Sequence, residues 1–122
     1  MTNKVLRVAI APRAAIMRHM LDIAGGRRRR SVDDPDVWFT SVESFAKVLS
    51  DKNRALLAMI AEKRPDSIDA LAVLSGRAKS NLSRTLRTME HYGLVRLEKG
   101  EGRKLRPVVT FRRVELSLKV AA

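Results

Sequence analysis

Residues 77–89 concentrate groups that bond nucleic acid. Arg77, Lys79, Arg84 and Arg87 alternate with Ser80, Asn81 and Ser83, and no carboxylate occurs before Glu90. Guanidinium, ammonium, hydroxyl and amide groups bond phosphate oxygens and base edges, and an arginine takes guanine O6 and N7 together. Read as a helix over 78–92, the segment carries Leu82, Leu86 and Met89 on one stripe and the polar set on the other. A helix lying in a DNA major groove needs that division: one stripe anchors it and the other reads. An ordinary solvated helix usually mixes charge signs. A second basic set, Lys99, Arg103, Lys104 and Arg106, brackets Gly100-Glu101-Gly102. On a hairpin it would reach a flanking minor groove or backbone, although Glu98 and Glu101 dilute it.

No other constellation suggests chemistry. The chain has no cysteine, which excludes disulfides and thiolate metal sites. His19 and His91 alone cannot make a zinc site. Asp33, Asp34 and Asp36 lie in a segment with no further ligands, where acids usually serve solvation. There is no Ser/His/Asp or Cys/His set and no glycine-rich phosphate loop. The expectation is a non-enzyme with no metal and no cofactor.

Charge supports a polyanionic partner. The 122 residues carry 25 Lys and Arg against 13 Asp and Glu, for a net charge of +12. Residues 1–30 hold +7, residues 31–75 hold −3 and residues 76–122 hold +8. Two dense basic ends in so short a chain are harder to dismiss as solvated surface than one cluster would be. At 45% hydrophobic residues the chain is not compositionally disordered. No apolar run approaches the ~18 residues of a membrane span. The start, Met1-Thr2-Asn3-Lys4, does not read as a secretory signal. A cytoplasmic, nucleoid-associated protein is expected.

The elements that must hold the basic groups follow from periodicity. Residues 4–10 alternate as a half-buried strand, and Pro12 precedes a helix carrying Ile16, Met17, Met20, Leu21, Ile23 and Ala24. Gly25 and Gly26 stop it, and 25–36 reads as an exposed linker containing Arg27 to Arg30. That run is either an arm on DNA or a linker paired with the nearby aspartates. Thr40-Ser41-Val42-Glu43 fits a capping box for a helix with Val42, Phe45, Ala46 and Leu49. A second helix buries Leu56, Leu57, Ile60 and Ala61 and ends at Pro65. A third carries Ile68, Leu71, Ala72 and Leu74 and turns at Gly76. After the helix 78–92 and Gly93, the period becomes two. Leu94, Val95 and Leu97 form one strand, and Leu105, Val108, Val109 and Phe111 form the returning one. Pro107 marks an edge or a bulge. Val114, Leu116, Leu118 and Val120 alternate as a last strand.

Helix, helix, turn, helix and glycine-tipped hairpin is the order of a winged helix-turn-helix. Residues 71–95, from Leu71-Ala72 through Gly76, Ser80, Leu82, Ser83 and Arg84 to Met89-Glu90 and Gly93-Leu94-Val95, closely resemble the motif of MarR-like regulators. The resemblance in organisation covers 41–111. The strand-helix start and the Trp38-Phe39-Thr40-Ser41-Val42-Glu43-Ser44 entry are similar to a small prokaryotic group within that family. Some of its members are antitoxins that repress their own toxin–antitoxin operon, and that likeness runs from Val37 to Leu118. Where large MarR-type proteins carry long terminal dimerisation helices, this sequence reads as a strand plus one helix before the motif and a strand after it.

The expected fold is therefore α+β: a winged helix-turn-helix with an N-terminal strand-helix extension and a C-terminal strand. Residues 1–36 would form a dimerisation or partner arm and 37–122 the DNA-binding domain. The resemblance implies a dimeric repressor that binds double-stranded operator DNA, with a toxin as possible protein partner. Two alternatives stay open: a stand-alone MarR-like repressor answering a small ligand, and an architectural DNA-binding protein without base specificity.

Overall fold

The computed structural model describes residues 4–120. The fold is α+β; the described residues form five helices and five strands in two compact units. One unit comprises the residues up to Lys47 and those from Phe111 on; the other is Val48–Thr110.

The first unit is built on β1 (Val5–Ile10), α1 (Arg13–Ala24), β2 (Val37–Phe39) and β5 (Arg113–Leu118). Its three-stranded sheet has the order β2-β1-β5, and both pairings are parallel. Val8 lies opposite Val37 and Leu116, and Ile10 opposite Phe39 and Leu118. Parallel neighbours need a crossover connection, which α1 supplies between β1 and β2. A middle strand is covered more fully than a lone alternating strand suggests. Leu6, Val8 and Ala9 are all buried, together with Ile16, Val37 and Phe39. Arg7 stays half-buried because Glu115 of β5 accepts from its Nη1 at 3.1 Å.

This arrangement divides the chain differently from 1–36 and 37–122. β1 needs a neighbour on each side, and both neighbours come from beyond residue 36. The N-terminal segment is thus the centre of a unit, not a detachable arm. α1 also buries less than its pattern suggests: Ile16 is covered, while Met17, Met20 and Leu21 are about half exposed. The linker after it folds back on itself. Arg27 Nε donates to Asp22 Oδ1 at 3.0 Å, and Arg28 Nη2 donates to Asp34 Oδ1 at 3.2 Å. The Ser31 amide (2.8 Å) and then Arg28 hold the Asp34 carboxyl below the usual carboxylate range. Of the two readings of Arg27 to Arg30, intramolecular pairing holds for the first two arginines.

α2 (Val42–Val48) begins one residue later than the capping box placed it. Ser41, not Thr40, is the cap: the Ser44 amide donates to its Oγ, and Ser44 Oγ donates back to its carbonyl. Phe45 packs edge-on against Phe39 at 5.5 Å.

The second unit holds α3 (Asp51–Lys63), α4 (Ile68–Ser75), α5 (Lys79–His91), β3 (Arg96–Lys99) and β4 (Leu105–Val108). Its core is Leu56, Leu57 and Ile60 from α3, Ile68 and Leu71 from α4, Leu82, Leu86 and Met89 from α5, and Leu94 and Val95. Leu74, assigned to the apolar face of α4, is 46% exposed. Serines start two of the helices. Ser50 Oγ accepts from the Asn53 amide and Ser67 Oγ from the Ala70 amide. Ser67 is buried, and Ser67→Ala removes the acceptor of the Ala70 amide. The variant is expected to lose about 1 kcal/mol, read from its urea midpoint. Gly76 ends α4 at φ 71, a left-handed conformation that a Cβ disfavours.

β3 and β4 form an antiparallel hairpin in which Leu97 faces Pro107 and Lys99 faces Leu105. In a two-stranded sheet both strands are edges, so Pro107 removes no ladder donor that a third strand would need. The strands are shorter than the apolar alternation. Leu94 and Val95 are buried ahead of β3, and Val109 and Phe111 lie beyond β4.

Candidate nucleic-acid interface

The orientation of α5 is set by its core stripe. Leu82, Leu86 and Met89 are each 0% exposed, and their spacing of four and three residues places them on one side of the helix. The rest of the first three turns must then face outward. Lys79, Ser80, Asn81, Arg84 and Arg87 are exposed and Ser83 is half-buried. No ion pair joins Arg84 or Arg87 to an acid among the described residues, so both guanidiniums keep their donors for a ligand. The N-cap residue of α5, Ala78, supplies no side-chain cap. The amides of its first turn are therefore directed at whatever lies beyond the helix end.

The hairpin brings the second basic set to the same place. Lys79, Ser83 and Arg87, spaced four apart along α5, line an open cleft of about 440 Å³ with Arg103 and Lys104 of the hairpin. The tip is closed by two backbone bonds, from the Gly100 amide to the Lys104 carbonyl and from the Lys104 amide to the Glu101 carbonyl. Gly102 takes φ 63 in that turn. Two acids share the cleft. Glu101 lines it, and Asp69 Oδ1 holds Lys79 Nζ at 2.9 Å. The Lys79–Asp69 pair is well exposed, hence weak, and its ammonium can exchange to a phosphate at little cost.

A family model, HVO_A0114, matches residues 48–116. The chain belongs to the HVO_A0114 family. No curated protein and no solved structure matches it.

The stretch shared with the HVO_A0114 family runs from the start of the second unit into β5 and contains every candidate contact residue. Not all of them converge. Ser80, Asn81 and Arg84 sit on the outer face of α5, away from the cleft lining. Lys99 ends β3 and is exposed. Arg106 donates to Glu98 Oε1 at 2.7 Å, and Arg96 Nη2 lies 2.7 Å from Glu98 Oε2. Arg106 first, then Arg96, hold the Glu98 carboxyl below the usual glutamate range. Its contribution to the hairpin is thus fully present above the ordinary glutamate pKa and lost as pH falls through the lowered value.

Arg77 makes contacts within the chain that its position in the sequence does not suggest. Its Nη1 and Nη2 both lie 3.4 Å from Asn53 Oδ1, and Nη2 donates to the Lys52 carbonyl at 3.2 Å. It ties the turn after Gly76 to the first turn of α3. Asn53 lies 24 residues away along the chain. Only tertiary contact links the two, and neither periodicity nor composition signals it.

Proposed function

We propose that this HVO_A0114-family protein is a sequence-specific, double-stranded-DNA-binding transcriptional repressor. In this reading α3 to β4 act as a MarR-like winged helix-turn-helix, with α5 in the major groove and the hairpin on the flanking backbone or minor groove. One observation carries the reading. The buried stripe Leu82, Leu86 and Met89 turns outward a face that carries no acid over the first three turns of α5, before Glu90, and Arg103 and Lys104 of the hairpin line one cleft with Lys79, Ser83 and Arg87. A groove reader needs both a face for base edges and a second point of backbone attachment.

The test is binding to the DNA upstream of the protein's own gene and to a scrambled duplex, over a range of salt concentrations. A repressor prefers the first at every salt concentration. Equal affinity for both would leave an architectural protein without base readout. Lys104→Ala is expected to weaken both duplexes alike and to reduce the slope of log K against log salt by about 1, as loss of one phosphate contact does. A change in base preference would remove Lys104 from that role. A toxin-neutralising function rests on the MarR-like resemblance. Co-purification with the product of the neighbouring gene supports it, and a harmless, unbound neighbour ends it.

A further inference from the structure

We infer that β5 is the seam of a symmetric dimer, pairing antiparallel with β5 of a second copy so that two three-stranded sheets become one of six strands. β1 cannot serve as the seam, because β2 and β5 occupy both of its edges. Among the described residues no strand pairs with the outer edge of β5. The Arg7 carbonyl accepts from the Asp36 amide, and the Ala11 amide donates to the Phe39 carbonyl. The odd residues of β1 thus turn their backbone groups toward β2, and Leu6, Val8 and Ile10 turn theirs toward β5. By the alternation of a parallel ladder, Val114, Leu116 and Leu118 then direct their backbone groups away from β1.

The side chains on that edge are unfinished in the single chain. Leu116 and Leu118 lie in register with Val8 and Ile10, on the face where Leu6 and Val8 are buried. Yet Leu116 is 43% and Leu118 49% exposed, and no strand lies beside them on that edge among the described residues. A second β5 would continue that apolar band across the seam.

Charge selects both the partner and the register. With the two-fold axis at Ser117, Glu115 faces Lys119 twice, Leu116 faces Leu118 twice, and the small Ser117 meets its own copy. Moving the axis to Leu116 would oppose Arg113 and Lys119, and moving it to Glu115 would oppose two glutamates. Opposite charges directly across a strand pair stabilise it and like charges destabilise it. Glu115 already accepts from Arg7 and Arg113, one on each oxygen. Each oxygen keeps a second acceptor position for the incoming lysine.

Sedimentation of the full chain tests this without DNA, so its failure would leave the DNA reading standing. A species of twice the 13.7 kDa chain mass is expected at micromolar concentration. Leu118→Lys alters an exposed position and is expected to raise the dimer dissociation constant at least about tenfold. Ser117→Cys supplies the chain's only thiol. In the proposed register its copies lie about 4.5 Å apart at Cα, within disulfide reach, so mild oxidation is expected to link the dimer. Lys119→Cys places its two thiols about 14 Å apart along the strands and is expected not to link. A monomeric wild-type chain would overturn the inference. So would a dimer that survives Leu118→Lys and leaves Ser117→Cys unlinked, or a β5 edge that pairs only with a different protein.

Discussion

Replacing Arg84 and Arg87 together by alanine is expected to reduce affinity for the preferred DNA about 30- to 10⁴-fold while leaving the fold intact. An arginine in a bidentate base contact contributes about 1–3 kcal/mol and charged hydrogen bonds to backbone oxygens a similar amount, and the two losses add if the side chains touch separate groups. The structure motivates the pair because both side chains are exposed on α5 and no acid among the described residues forms an ion pair with either. They are also placed differently. Arg87 lines the cleft shared with Arg103 and Lys104, and Arg84 lies on the outer face. Arg84→Ala is therefore expected to relax base preference, and Arg87→Ala to weaken binding with less loss of preference. Fluorescence anisotropy on preferred and scrambled duplexes at one salt concentration separates the two effects. Unchanged affinity in the double variant, with an unchanged circular dichroism spectrum, would remove α5 as the reading element. Arg77→Ala is the contrasting case. Because it bonds Asn53 and the Lys52 carbonyl, it should cost stability as well as binding.

The second large effect concerns the anchor of that helix. Leu86→Ala is expected to destabilise the protein by about 2–5 kcal/mol, because Leu86 is 0% exposed and its removal leaves a cavity among tightly packed neighbours. Total stabilities of small domains are about 5–15 kcal/mol, so much of the margin would be lost. Val73→Ala, also on a helix of the second unit, changes a side chain that is 84% exposed and should move stability by no more than about 0.5 kcal/mol. Urea unfolding of the two variants measures the difference. A Leu86→Ala midpoint close to that of Val73→Ala would mean that the packing of α5 is not what orients its basic face.

Local rules carried much of the second unit. Ser50 and Ser67 cap their helices where a hydroxyl precedes an apolar-periodic run. Gly76 and Gly93 end theirs at positive φ. The stripe Leu82, Leu86 and Met89 was legible because a helix repeats every 3.6 residues, and the basic face followed from it by exclusion. The same rules erred where burial depends on distant neighbours. Leu74 has the spacing of a core residue and is half exposed. Met17, Met20 and Leu21 share the pattern of Ile16 and lack its cover. Thr40 and Ser41 are equally able to cap, and the backbone chose Ser41.

Composition, periodicity and capping chemistry by themselves determined the order of elements after Leu49, the α+β class, the basic face of α5 and the basic hairpin. All of these depend on residues close together in the chain. Tertiary structure alone decided which strands pair. β1 joins β2 and β5 across separations of about 30 and 108 residues, and alternation says that a strand has a buried face, not which strand lies beside it. It likewise decided that Arg77 braces Asn53, that Arg106 shares Glu98 with Arg96, and that Arg103 and Lys104 line a cleft with Lys79 and Arg87. An arginine's charge is written in the sequence. Whether its donors go to a ligand or to a neighbour is set by which groups folding brings within about 3 Å of it.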